Sequence, residues 1–83
     1  SKDTLTQEGF ELFEALRELR LTIARDEEVP PYIVFSDKTL IDMCNKMPRD
    51  GETMLSVSGV GEMKYAKYGQ CFLDRIIEFT GEE

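Results

Sequence analysis

Two consecutive prolines, Pro30 and Pro31, constrain the fold of this chain more than any other pair of residues. Each fixes φ at about −65° and removes a backbone donor, and the residue ahead of a proline is steered away from the helical region. The stretch Val29-Pro30-Pro31-Tyr32-Ile33-Val34-Phe35-Ser36-Asp37 is therefore expected to be a rigid, extended connection. Alternation along an extended segment turns successive side chains to opposite sides. On that reading Phe35 and Ile33 plug the core, while Tyr32 and Val34 face away. Two roles stay open for Tyr32. Buried with its hydroxyl satisfied, it is a core aromatic. Exposed, it is a flat face for stacking on an unpaired base.

Helical periodicity surrounds this connection. Thr4-Leu5-Thr6-Gln7 fits a capping box, with Gln7 three residues after a Thr4 cap. Leu12, Leu16, Leu19 and Ile23, widened by Phe13, form the apolar stripe of a long first helix, which ends near Arg25 or Asp26 ahead of the prolines. Ser36-Asp37 caps a second helix carrying Leu40, Ile41, Met43, Cys44 and Met47, stopped by Pro48. Asp50 caps a short third helix through Met54, Leu55 and Val57, and Gly59 suits its left-handed exit. Val60-Gly61 leads to a fourth helix with Met63, Ala66 and Tyr68. Gly69 allows a break or a close approach before a fifth, bearing Phe72, Leu73, Ile76, Ile77 and Phe79. Apart from Tyr32–Phe35, nothing alternates with the period of a strand. The expected fold is all-α, a compact bundle of about five helices with short loops.

The chain of 83 residues makes one small domain over positions 1–83, with its core between Phe10 and Phe79. A domain of this length buries only about two thirds of its unfolded surface, so each large apolar residue matters. A hydrophobic content of 41% with 33% charged residues belongs to a globular chain rather than a disordered one. No apolar run reaches the roughly 20 residues needed to span a bilayer, and no signal peptide is visible. Ser1-Lys2-Asp3 does not resemble a natural start, and a module excised from a larger protein is expected.

Several chemistries are excluded by residue type. There is no histidine, and two cysteines fall short of the about four ligands of a structural zinc site. Cys44 and Cys71 lie within apolar-periodic segments and read as buried, reduced thiols. Met43, Met47, Met54 and Met63 occupy apolar positions and read as packing. No Gly-x-x-x-x-Gly-Lys loop is present to hold a nucleotide. No catalytic residue, cofactor or metal is assigned to this fragment.

The net charge of −7 argues against broad binding to nucleic acid, but it is unevenly distributed. Residues 38–67 hold Lys38, Lys46, Arg49, Lys64 and Lys67 against Asp42, Asp50, Glu52 and Glu62, while the acid lies in the first helix, Asp26-Glu27-Glu28 and the tail. Any anion-binding surface is therefore local and weak. The segment Leu55-Ser56-Val57-Ser58-Gly59-Val60-Gly61, leading into Glu62-Met63-Lys64-Tyr65-Ala66-Lys67-Tyr68-Gly69, follows the pattern of a helix-hairpin-helix. In that motif Val60 plugs the core, and free amides near Gly61 face a phosphate within reach of Lys64 and Lys67. The same residues also suit a plain tight turn, and Glu62 competes for those amides. Arg17 and Arg20, flanked by Glu14 and Glu18, read as surface ion pairs. Arg20 and Arg25, nearer the proline turn, are the alternative phosphate contacts.

Taken together, Leu16-Arg17-x-Leu19-Arg20, Ala24, Val29-Pro30-Pro31-Tyr32-x-x-Phe35-x-Asp37-x-x-Leu40, Met47-Pro48, Met54-Leu55-x-Val57-x-Gly59-Val60-Gly61, Lys64 and Tyr68-Gly69 strongly resemble an HRDC domain, the helicase and ribonuclease D C-terminal module. The Pro-Pro-Tyr-x-Val-Phe form is most like that of bacterial RecQ helicases. The resemblance implies a five-helix accessory module that contacts single-stranded or junction DNA weakly and tunes substrate choice in DNA repair and recombination. It implies Tyr32, Lys38, Lys64 and Lys67 as contact residues, with Gly61, Arg20 and Arg25 beside them. It further implies a parent with an ATP-driven motor, using ATP, magnesium and zinc outside this fragment. The implied partners are DNA, the parent helicase core and other repair proteins, with no membrane, for a monomeric module in the bacterial cytoplasm at the nucleoid. Two other readings stand beside it. One is a protein-docking module using the acidic face of Glu11, Glu14, Glu18 and Asp26–Glu28, and the other an RNA-binding accessory domain of a ribonuclease D.

Overall fold

Thr6 sets the start of the chain's longest element. Its Oγ1 accepts the Gly9 N–H at 3.0 Å and caps α1 (Gln7–Glu27). The structure, a computed structural model, describes residues 5–81, so the expected Thr4 cap and the tail Glu82-Glu83 lie outside the described residues. Gly9, Leu12, Phe13, Leu16, Arg20 and Ala24 form the buried face of α1, with Leu19 and Ile23 half-buried at its margin. The helix runs one residue past Asp26. It stops where Glu28 turns left-handed (φ 59°) and Val29 N–H donates to the Ala24 carbonyl at 3.0 Å, the six-to-one closure of a helix C-terminus.

Beyond it the expected extended connection is replaced by a helical turn, α2 (Pro31–Val34). Pro30 is extended, but Pro31 occupies the first helical position, where a missing N–H costs nothing and a fixed φ is already helical. The correction has a consequence for packing. Advancing by about 100° per residue instead of alternating, the turn exposes Tyr32 and Ile33 together and buries Val34, with Phe35 following it into the core. Ile33 and Val34 thus exchange the places expected of them, whereas Tyr32 and Phe35 keep theirs.

Ser36 Oγ accepts from Thr39 N–H at 3.2 Å to begin α3 (Asp37–Lys46), which ends at Met47 in the left-handed region (φ 43°) just before Pro48. Asp50 caps α4 (Gly51–Leu55) through Thr53 N–H at 2.8 Å, and that bond holds the Asp50 carboxyl below its ordinary pKa. The chain then turns at Gly59 (φ 88°), where a Cβ would stand 2.2 Å from Thr39 Oγ1, so glycine meets both a backbone and a space requirement. Val60 is buried as the plug of this turn.

The fourth and fifth expected helices are one continuous body. It comprises α5 (Glu62–Lys64), a π-helical turn (Tyr65–Gly69) and α6 (Gln70–Gly81). Gly69 does not break it. The Tyr65 ring lies directly on the Gly69 backbone, and a Cβ there would fall 2.2 Å from Tyr65 Cδ1. Because α6 turns Phe72, Leu73 and Ile76 inward, Cys71 is exposed rather than buried. Met63, also expected to pack, is exposed at the start of α5. The described residues contain no strand, and no helix among them is long and apolar enough to cross a membrane.

Phe35 stands at the centre of the core. Its ring meets Phe72 edge-on at 4.9 Å and Tyr68 at 5.9 Å, while Leu12, Leu16, Leu40, Met43 and Met54 fill the space around these aromatics. Arg20 holds this corner from α1. Its Nη1 donates to the Phe35 carbonyl at 2.9 Å, and its Nη2 pairs with Asp37 Oδ1 at 2.8 Å. The guanidinium is buried and its Nε lacks a partner, which overturns both the surface ion pair and the phosphate contact expected of this residue. Arg17 does form the expected exposed pair, with Glu14 at 3.3 Å.

Two stability predictions follow from these contacts. Arg20→Met keeps the apolar stem but leaves the Phe35 carbonyl buried without its donor, and should lower unfolding stability by about 1–3 kcal/mol in urea. Arg20→Lys should recover only part of this, because an ammonium cannot match the planar fork across two acceptors. The second concerns Cys44. Burial pushes its thiol up to about 12 from 9.0, so the folded chain keeps a proton that the unfolded chain releases between about pH 9 and pH 12. Below that window the thiol contributes nothing pH-dependent, and within it stability falls as pH rises, by about 1 kcal/mol per pH unit. Urea titrations at pH 8, 9 and 10 should show a shallower alkaline decline for Cys44→Ala than for the wild type.

Candidate nucleic-acid interface

The exposed Tyr32 is presented by a turn whose carbonyls are held from the opposite helix. With only four residues, α2 cannot satisfy its own last carbonyls. Lys64 Nζ donates to the Ile33 carbonyl and, at 3.0 Å, to that of Val34, and its ammonium lies 5.7 Å from the Phe35 ring centroid. The sequence-predicted Lys64 and Tyr32 are thereby brought to one place. Lys64 is also a structural tie, and its charge already has oxygen partners.

One turn further along the same helix, Lys67 faces the end of α1. Its Nζ stands 3.7 Å from Glu27 Oε1 and 5.4 Å from the Tyr68 ring centroid. The same Glu27 oxygen accepts the Tyr68 O–H at 2.7 Å, and this bond leads the causes that raise the Tyr68 pKa above its ordinary value. Tyr32 is 68% exposed and Met63 is 87% exposed. Tyr32 lies on α2, and Met63 stands next to Lys64 on α5. Because Lys64 points toward α2, Met63 lies about 100° around the helix from it and meets solvent. Lys64 thus sits at the Tyr32 turn, and Lys67 stands one helical turn further on beside Glu27.

The remaining candidates are less closely joined. Gly61 is exposed at the start of α5, with no side chain capping that helix and nothing within 4 Å of a Cβ built on it. The turn ahead of it is already pinned by a carboxylate. Ser58 N–H donates to Asp42 Oδ2 at 2.8 Å, and Lys46 bonds both Asp42 at 3.3 Å and the Ser56 carbonyl at 2.7 Å. Asp42 and Lys46, four apart on α3, escaped the sequence reading because their partners are backbone groups of a distant turn. Lys38 is exposed on the first turn of α3, and Arg25 on the last turn of α1. Among the described residues neither joins the Tyr32 group through a hydrogen bond or ion pair. Arg20 is inside the fold and leaves the site.

Among the described residues no three Cys, Asp or Glu side chains converge as metal ligands, and Cys44 is buried where Cys71 is exposed. The donors in this chain do not fit a zinc ion of the kind implied for a parent protein.

The comparisons agree with this architecture. The HRDC domain family model matches residues 9–76. The ATP-dependent DNA helicase RecQ of Bacillus subtilis is 52% identical over 69 residues, which are 83% of this chain and 12% of that protein. The corresponding RecQ of Haemophilus influenzae is 47% identical over 68 residues, 82% of this chain and 11% of that protein. ATP-dependent DNA helicase UvrD2 of Mycobacterium tuberculosis is 35% identical over 66 residues, covering 80% of this chain and 9% of the relative. The chain thus spans about one tenth of the length of these curated relatives. Among solved structures, D. radiodurans RecQ HRDC domain 3 superposes with a TM-score of 0.82 at 32% identity, covering 88% of this chain and 97% of that one. With its motifs, its helical order and its core all in agreement, the chain belongs to the HRDC domain family.

Proposed function

We propose that this HRDC domain is an accessory nucleic-acid-binding module of a RecQ-type ATP-dependent DNA helicase, contacting single-stranded or branched DNA weakly. The observation that carries the reading is Tyr32, an aromatic left 68% exposed on a turn that is rigidly held from behind by Lys64. An aromatic ring fixed in the open loses little freedom when a base stacks on it, and stacking tolerates any base sequence. Lys67, with Lys38 and Arg25 at greater remove, supplies the cations for neighbouring phosphates. Because several of the chain's cations are already engaged, few phosphates are neutralised, and binding should have a shallow salt dependence. The match covers only about one tenth of the RecQ relatives, which supports a parent protein whose motor lies elsewhere in the chain.

One observation favours a second reading. The outer face of α1 exposes Glu11, Glu14 and Glu18 together with Phe10 and Leu21, a mixed acidic and apolar surface suited to docking a basic protein surface. Both uses are compatible, since that face and the Tyr32 turn involve different residues.

Titration of the domain against fluorescently labelled single-stranded DNA at low and moderate salt tests the first reading. Tyr32→Ala should weaken binding by about 1–3 kcal/mol, roughly 5- to 150-fold in Kd, with unchanged helical content and thermal midpoint. Wild-type protein that shows no salt-sensitive binding would exclude it. Binding indifferent to Tyr32→Ala would reject stacking and leave phosphate contact alone.

A further inference from the structure

Lys67 is the cation of the candidate interface whose nearest partner is a side chain rather than a backbone carbonyl, and that partner is held from elsewhere. Glu27 Oε1 receives the Tyr68 O–H at 2.7 Å, and Tyr68 is itself 4% exposed, its ring wedged against Phe35. The carboxylate is therefore anchored to the core through a buried phenol, which Lys67 also approaches from its exposed side. Lys67, at 3.7 Å from the same oxygen with a side chain 64% exposed, is the movable member of the pair. The two have different freedoms. Glu27 stays where Tyr68 holds it, and Lys67 is free to swing toward another anion.

The setting of Glu27 makes it a strong competitor. It lies in the last turn of α1, where helix carbonyls already present partial negative charge, and Asp26 and Glu28 flank it. A phosphate approaching Lys67 meets this field. It also finds the ammonium partly neutralised by an anionic oxygen like its own.

We propose that Glu27 is an internal stand-in for phosphate, occupying Lys67 in the free domain, so that nucleic acid gains this lysine only by displacing it from the carboxylate. The inference rests on the nucleic-acid reading above and makes Glu27 the residue that sets the affinity of the site from within. It accounts for an interface with a presented aromatic and a nearby cation in a domain whose net charge is −7.

The test is a double-mutant cycle read by single-stranded DNA binding. Glu27→Gln retains an oxygen to accept the Tyr68 O–H and removes only the charge, so the fold is kept, as a thermal melt will verify. It should tighten binding about 3- to 10-fold at low salt and steepen the salt dependence by about 0.7 in the log–log slope, the increment for one added phosphate contact on a single strand. Lys67→Gln should cancel that gain, leaving Glu27→Gln/Lys67→Gln equal to Lys67→Gln. Glu28→Gln changes net charge equally at a neighbouring carboxylate and is the control. A gain from Glu28→Gln as large as that from Glu27→Gln, or one that persists without Lys67, overturns the proposal and leaves only a general field effect. The two readings fail separately. If the wild type binds and Tyr32→Ala weakens it while Glu27→Gln does nothing beyond its control, the stand-in alone is wrong. If no variant binds, the nucleic-acid reading falls and the stand-in falls with it.

Discussion

The corner at Phe35 depends on cations that reach backbone oxygens. A single-turn helix such as α2 has too few residues to close its own C-terminal hydrogen bonds, and its last carbonyls are left to find donors elsewhere. Here two side chains from two different helices supply them. Lys64 takes the carbonyls of Ile33 and Val34, and Arg20 takes that of Phe35 while pairing with Asp37 at the start of α3. The segment that joins α1 to α3 is thereby tied from both sides, and the Phe35 ring is delivered to Phe72 and Tyr68 in the core. Without these ties a buried carbonyl would stand unpaired at the place where three helices meet, at a cost of about 1–3 kcal/mol.

On the proposed nucleic-acid reading, fold and function compete for the same scarce charge. The chain has ten lysines and arginines against seventeen acids. Arg20 is buried in the corner, Lys64 clamps α2, Lys46 pins the turn at Ser56, and Lys67 faces Glu27. Cations placed on backbone carbonyls have had part of their hydration replaced by protein dipoles, and a phosphate can reach them only by sharing or displacing those partners. A domain built this way has a well-defined aromatic platform and little free positive charge around it. The weakness of the proposed binding is thus argued by the hydrogen bonds as directly as by the net charge.

The sequence made the regular parts of this structure legible where the signal was local. Ser36 and Asp50 act as caps because their side chains reach amides three residues on, and Gly59 is left-handed because little else fits beside Thr39. The failures share a different cause. Reading Pro30-Pro31 as wholly extended overlooked that a proline is at home in the first position of a helix, and this interchanged Ile33 and Val34. The π turn went unseen because periodicity does not encode a local feature such as this turn or the Tyr65 ring lying on Gly69. Arg20 was legible in principle. It stands four residues after Leu16 and four before Ala24, squarely on the buried seam of α1, and only its charge argued for the surface.

The same error of reading explains why Tyr32 came out right for an incomplete reason. Alternation placed Tyr32 outside by placing Ile33 inside, whereas the helical turn puts both outside and moves Val34 in. The distinction matters for the site. An extended strand would present Tyr32 as a single ring on a polar edge. The turn presents it beside Ile33, with the exposed Met63 on the helix that clamps the turn, so its surroundings are apolar as well as cationic. A nucleotide has both an apolar base face and an anionic phosphate, and a surface that offers only charge would hold the phosphate while leaving the base in water. Here the fixed turn supplies the apolar side. On the proposed reading Lys67, exchanged from Glu27, supplies the cationic side.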